Sequence, residues 1–169
     1  MKNLLFGFLF LLVAAGCKES DSPTANTIIT VTDAQLYQLA KTTSKAAFFN
    51  NSTDTVPGNS GAAHAGKIIV WYNAKAKEQL DTLGRVKTLA TFSDSSLIVK
   101  EIFNDNGVRQ FYAIMLKLSA ASNKGAGNWV WAELKGNGDV FISASENGQK
   151  CGACHTPGID YTRTNDSHP

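Results

Sequence analysis

The sequence predicts an α+β domain built mainly of antiparallel β-sheet, with an N-terminal helix, a short crossover helix and a less regular C-terminal segment. Three observations carry that expectation. A stretch with helical spacing comes first, β-branched and aromatic runs dominate the second half, and two gaps between those runs are Asn/Gly-rich and of hairpin length. The 169 residues are 43% hydrophobic and include nine Phe, enough apolar surface for one core in a domain of ordinary size. With 16 Lys+Arg against 14 Asp+Glu, the formal net charge of +2 gives no strong field of one sign, so no nucleic-acid partner is expected.

The chain opens with Lys2, an apolar run from Leu4 to Val13, and then Ala14-Ala15-Gly16-Cys17. This apolar run is shorter than the roughly 20 residues that cross a bilayer, and its flanks are those of an export signal. Cys17 after Ala-Ala-Gly resembles the lipobox of bacterial lipoproteins, which implies lipidation of Cys17 and a mature chain that begins there. The alternative is a plain signal with Cys17 an ordinary thiol. Residues 1–16 are thus read as a lipoprotein signal peptide, 17–30 as a polar tether from a membrane anchor, and 31–169 as the folded domain.

Within the domain, residues 32–49 read as a helix capped by Thr32 or Asp33, with Leu36, Tyr37, Leu39, Ala40, Ala47 and Phe48 at roughly helical spacing. Residues 50–66 form a turn-rich loop containing Pro57 and His64. A short strand over 67–73 (KIIVWYN) precedes a helix over 74–83 that Gly84 stops. Strands over 97–103 and 108–118 flank Asn104-Asp105-Asn106-Gly107, whose Asn and Gly tolerate positive φ. A second hairpin joins residues 129–134 to 139–143 across Lys135-Gly136-Asn137-Gly138.

Chemistry enters at Cys151-Gly152-Ala153-Cys154-His155, the C-x-x-C-H pattern of covalent haem attachment. The spacing brings Cys151 and Cys154 to one porphyrin edge as thioether ligands, and the adjacent His155 becomes the proximal ligand of the iron. Three alternatives compete. Structural zinc needs four Cys or His ligands, a redox dithiol is expected near a βαβ pattern, and a disulfide would close a small strained loop. Export is consistent with haem c, because bacterial thioether attachment occurs outside the cytoplasm. The cysteines are then all used: Cys17 by lipid, the other two by one haem c.

Strand alternation in Leu97–Phe103 sends Ile98, Lys100 and Ile102 to one face and Val99, Glu101 and Phe103 to the other. Either face then carries a charge. Lys100 snorkels to solvent or enters an apolar pocket where its amine is nucleophilic, and periodicity alone does not choose.

The order Ile68–Ala74, Leu97–Glu101, Gly127-Asn128-Trp129, C-x-x-C-H and then Asp160-Tyr161 resembles the cytochrome P-460 family and its relative cytochrome c-prime-beta. The resemblance spans roughly residues 60–165. It implies a periplasmic monohaem protein of antiparallel sheet, usually homodimeric, with five-coordinate iron held by His155; with the lipid anchor, the expected location is periplasmic or outer-membrane-associated. Lys100 matches the lysine that cross-links to the porphyrin in cytochrome P-460.

Cross-linked relatives oxidise hydroxylamine with nitric oxide chemistry at the same iron, whereas the c-prime-beta relatives bind nitric oxide without turnover. Active members carry an acid on the strand matching Phe111–Leu118, where this chain reads FYAIMLKL, and Ile68 stands where a family arginine can occur. Both departures imply a more apolar pocket, suited to small neutral gases. Phe103, Phe111, Met115, Trp129 and Trp131 are candidate pocket walls. Glu133 reads as a solvent-facing strand residue and His64 as a surface histidine, and His168 lies in the terminal tail. The resemblance therefore implies binding of nitric oxide or hydroxylamine, with an unknown electron-transfer partner. The alternatives are a gas-binding protein and an electron-transfer cytochrome with Met115 or His64 as sixth ligand.

Overall fold

The structure, a computed structural model, describes residues 28–58 and 63–165. The expected signal peptide, Cys17, most of the tether and His168 lie outside the described residues.

The first helix, α1, spans Asp33–Thr42 and is opened by a capping box. Thr32 Oγ1 accepts from the Gln35 amide at 3.2 Å, and Gln35 Oε1 accepts from the Thr32 amide at 2.8 Å. Such a cap contributes about 1 kcal/mol, a useful share for a helix that fully buries only Leu36 and Ala40. The helix ends sooner than its spacing predicts. Ala47 and Phe48, assigned by periodicity to its apolar face, form strand β1 (Ala47–Phe48) and pair with Tyr72 and Trp71.

Strand β2 (Val56–Pro57) is short and falls within the expected turn-rich loop, since two residues ending in Pro carry no periodic signal. The remaining strands match the sequence expectation closely: β3 (Lys67–Tyr72), β4 (Leu97–Phe103), β5 (Arg109–Lys117), β6 (Trp129–Lys135) and β7 (Val140–Ile142). All pair antiparallel, in the order β1-β3-β4-β5-β6-β7, with β2 also on β3. The Asn104 side chain fixes the β4–β5 turn by accepting from the Asn106 and Val108 amides.

Helix α2 (Ala74–Lys77) is shorter than the expected helix over 74–83. Asp81 accepts from the Leu83 and Arg85 amides and turns the chain, so that Leu80 bridges Val86. Because β3 and β4 are antiparallel neighbours, α2 lies in a long connection between them and is no crossover. The last helix, α3 (Gln149–His155), carries the C-x-x-C-H residues. Among the described residues no helix is long and apolar enough to cross a membrane.

The sheet is covered on both faces. One face packs Trp71, Leu97, Val99, Ile114, Val130 and Leu134 against Leu36 and Ala40 of α1. On this face Glu101, 2% exposed, accepts from Lys45 Nζ at 2.6 Å, Trp71 Nε1 at 2.8 Å and Arg109 Nε at 2.8 Å. A buried carboxylate is tolerated only with such partners. The other face carries Val70, Ile98, Met115, Trp129 and Trp131, with Cys151, Ile159 and Tyr161 packed against them.

Candidate functional site

The second face holds a cavity of about 340 Å³ between the sheet, α3 and the segment 162–164. That volume falls within the range of about 300–1,000 Å³ usual for ligand and cofactor sites. Strand register builds its floor in two rows. One row runs Val70, Lys100, Ala113, Glu133; the next runs Ile98, Met115, Trp131. Neighbouring strands lie about 4.8 Å apart, so Lys100 and Glu133 flank the small Ala113 at a separation of roughly 10 Å.

Lys100 therefore faces the cavity, the reading that alternation left open, with Glu101 on the opposite face as expected. Lys100 Nζ lies 3.4 Å from His64 Nδ1, and His64 Nε2 lies 3.4 Å from Glu133 Oε2. An ammonium has only donors, so this arrangement suits the His64 tautomer with its proton on Nε2, directed at the carboxylate. His64 and Glu133 thus correct the sequence reading. The sequence expectation puts both at the surface; the Glu133 side chain is 7% exposed and that of His64 17%. Every residue from Trp129 to Leu134 is buried, so β6 has no solvent face for Glu133 to occupy.

Helix α3 supplies the other wall. Gly148 precedes it in the left-handed region, φ 69°, where a Cβ would stand 2.3 Å from Trp131 Cδ1. Only glycine lets α3 start so close to the indole. The helical rise then puts Cys151 and Cys154 one turn apart, and both thiols and His155 line the cavity. Both are free thiols, Cys151 half-buried and Cys154 exposed. Burial, and secondarily the Glu133 and Glu146 charges, push the Cys151 thiol up to about 11.

The His155 ring stacks edge-on to Trp131 with centroids 4.8 Å apart, and its Nδ1 lies 2.8 Å from the Tyr161 carbonyl oxygen. A carbonyl can only accept, so the ring proton sits on Nδ1 and Nε2 keeps its lone pair. Burial pulls the ring's pKa down to about 4, the Tyr161 hydrogen bond opposing and nearby His64, Lys100 and Arg163 reinforcing the shift. The imidazole is neutral at pH 7, the form a metal requires.

These residues fit a covalently attached haem. Two thiols one helical turn apart, an imidazole with its proton on Nδ1, and a wall of Val70, Ile98, Ala113, Met115 and Trp131 are the donor set and surface it needs. The buried Trp131 Nε1 donor has no hydrogen-bond partner among the described residues. No group of three or more His, Cys, Asp or Glu side chains among them is arranged to hold a bare metal ion.

Three of the candidate walls sit elsewhere. Phe103 lies under the Arg109 guanidinium, which also pairs with Glu101, and so belongs to the opposite face. Phe111 packs on Phe141 beyond the cavity's end. Trp129 is fully buried against Phe92 and donates Nε1 to the Asp160 carbonyl. Met115 and Trp131 do line the cavity. Among known proteins, no family model matches the chain and no curated sequence is similar to it.

Proposed function

We propose that this chain is an exported, lipid-anchored c-type monohaem protein resembling cytochrome P-460, which binds nitric oxide and hydroxylamine at a five-coordinate haem iron, with hydroxylamine oxidation the activity to test. The observation that carries this reading is the convergence of Cys151, Cys154, His155 and Lys100 on one cavity. Cys151 and Cys154 would hold the haem through thioethers and His155 through Nε2. When bound, the haem supplies a redox-active iron with an open coordination position.

The chain's own residues supply the rest. Val70, Ile98, Ala113 and Met115 exclude water from the floor of the cavity. Glu133 restores to the pocket the carboxylate that β5 lacks, from the neighbouring strand, and it is suited to accept a proton from a substrate N–H or O–H. His64, between Glu133 and Lys100, offers that proton a route along the row. The pocket is therefore less apolar than the β5 sequence implies, which favours turnover over gas binding alone.

Mass spectrometry of protein matured in a haem-attaching host tests the assignment. A haem-sized increment lost in Cys151→Ala/Cys154→Ala is expected; a colourless wild-type product overturns it. A ferrous Soret band that returns to an ordinary c-type position in Lys100→Ala would establish the lysine cross-link.

The presence of both His64 and Met115 in the cavity favours a second reading, an electron-transfer cytochrome with six-coordinate iron. A low-spin spectrum that nitric oxide leaves unchanged would select it.

A further inference from the structure

The loop after α3 is held by an ion pair that no part of the haem reading uses. Lys117, the last residue of β5, has a side chain only 8% exposed, and its Nζ donates to both carboxylate oxygens of Asp160 at 2.8 Å. The same ammonium lies 4.9 Å from the centre of the Trp129 ring. Asp160 is gripped at two further points. Its Oδ2 accepts from the Phe92 amide at 2.8 Å, and its backbone carbonyl accepts from Trp129 Nε1 at 2.9 Å.

This grip coincides with unusual backbone. Asp160 and Tyr161 are consecutive non-glycine residues in the left-handed region, with φ of 45° and 66°. A non-glycine side chain is strained there, so the conformation persists only where its surroundings over-determine it. The Tyr161 ring packs against Gly127, where a Cβ would stand 2.5 Å from Tyr161 Cδ2. What the bend delivers is the Tyr161 carbonyl, the acceptor 2.8 Å from His155 Nδ1.

We propose that the Lys117–Asp160 pair is a buckle that holds the strained Asp160-Tyr161 bend and, through the Tyr161 carbonyl, sets the rotation and the protonated nitrogen of His155. Lys117 and Asp160 are positioning residues; neither touches the reacting atoms. A carbonyl that accepts from the far nitrogen of a metal-binding imidazole fixes its tautomer and strengthens it as a donor, and loss of such outer partners weakens the metal bond. The inference deepens the haem reading and rests on it only for the role of the imidazole.

The test compares full-length wild type with Lys117→Met, Lys117→Arg and the double variant Lys117→Met/Asp160→Asn, which leaves no lone buried charge and guards against misfolding of the single one. In haem-loaded protein the ferrous iron–histidine stretching band is read by resonance Raman. Lys117→Met and the double variant are expected to shift the band to lower frequency and broaden it, and Lys117→Arg to restore it. A band unchanged in the double variant overturns the buckle, whatever happens to melting temperature. If the wild type proves haem-free, the haem reading fails, and His155 ring nitrogen-15 shifts in that same protein decide the buckle. A single Nδ1–H tautomer that becomes mixed in the double variant supports it; an unchanged tautomer refutes it.

Discussion

Lys100 and Glu101 are adjacent in β4, and their side chains lie on opposite faces of the sheet: one lines the cavity beside His64, the other is buried under α1's side with three donors. Their substitutions should therefore separate chemistry from stability. Glu101→Gln removes a buried charge that Lys45 and Arg109 neutralise, yet both cations are more than a third exposed and can rehydrate. The expected cost is about 2 kcal/mol. Urea unfolding should show that loss with an unchanged haem spectrum, whereas Lys100→Met should alter the spectrum and move stability by less than about 1 kcal/mol.

Glu133→Gln keeps an acceptor for His64 and removes the base. Steady-state hydroxylamine oxidation should fall by a factor of about 10² or more, in line with loss of a positioned general base. Nitric oxide affinity should change little. Equal loss of both would show that Glu133 shapes the pocket and does not move protons.

Ala113 is the gap between Lys100 and Glu133 in the floor row. Ala113→Leu should fill that gap and displace His64, at a cost of about 1–3 kcal/mol for overpacking. Ligand titration of the ferrous protein should show at least a roughly tenfold weaker complex, equivalent to about 1.4 kcal/mol. Retained affinity would mean that ligands bind away from this row.

The two thiols should differ in protein made without haem attachment. Cys154 is exposed, while burial raises the Cys151 thiol from its usual 9.0 to about 11. Only the thiolate is alkylated, so at pH 8 Cys154 should react with iodoacetamide well before Cys151, and Cys151 labelling should climb about tenfold per pH unit. Peptide mapping over a pH series measures both rates.

Tyr72 is fully buried and its hydroxyl donates to Thr164 Oγ1 at 3.1 Å; burial raises its pKa from 10.0 to about 12. The folded state disfavours the phenolate, so the unfolded chain loses this proton first. The contribution is fully present below pH 10 and declines between about 10 and 12, by on the order of 2–3 kcal/mol in all. Tyr72→Phe should flatten that part of the alkaline stability curve, as followed by circular dichroism.

Much of this architecture was legible because its signals are local. Asn104 specifies the first hairpin by accepting from the Asn106 and Val108 amides and Gly107 by its left-handed backbone, φ 75°, and Thr32 with Gln35 marks the start of α1. The end of α1 was illegible because Ala47 and Phe48 are apolar for the sake of Tyr72 and Trp71, far along the chain. The C-x-x-C-H residues and Lys100 were legible as candidates, yet Glu133 was not. Both faces of the central strands are covered, so alternation separates their side chains into two sets without telling which set meets solvent. His64 sits in an aperiodic loop, where only tertiary structure could have found it.

The sheet from β3 to β7 is a succession of neighbours in sequence order, complete by Ile142, and both thiols come later. The floor of the cavity is therefore complete in chain order before the residues of α3 that wall it in. If haem is attached as proposed, the thiols that would hold it lie on a C-terminal strip that docks on a sheet face made entirely of earlier residues.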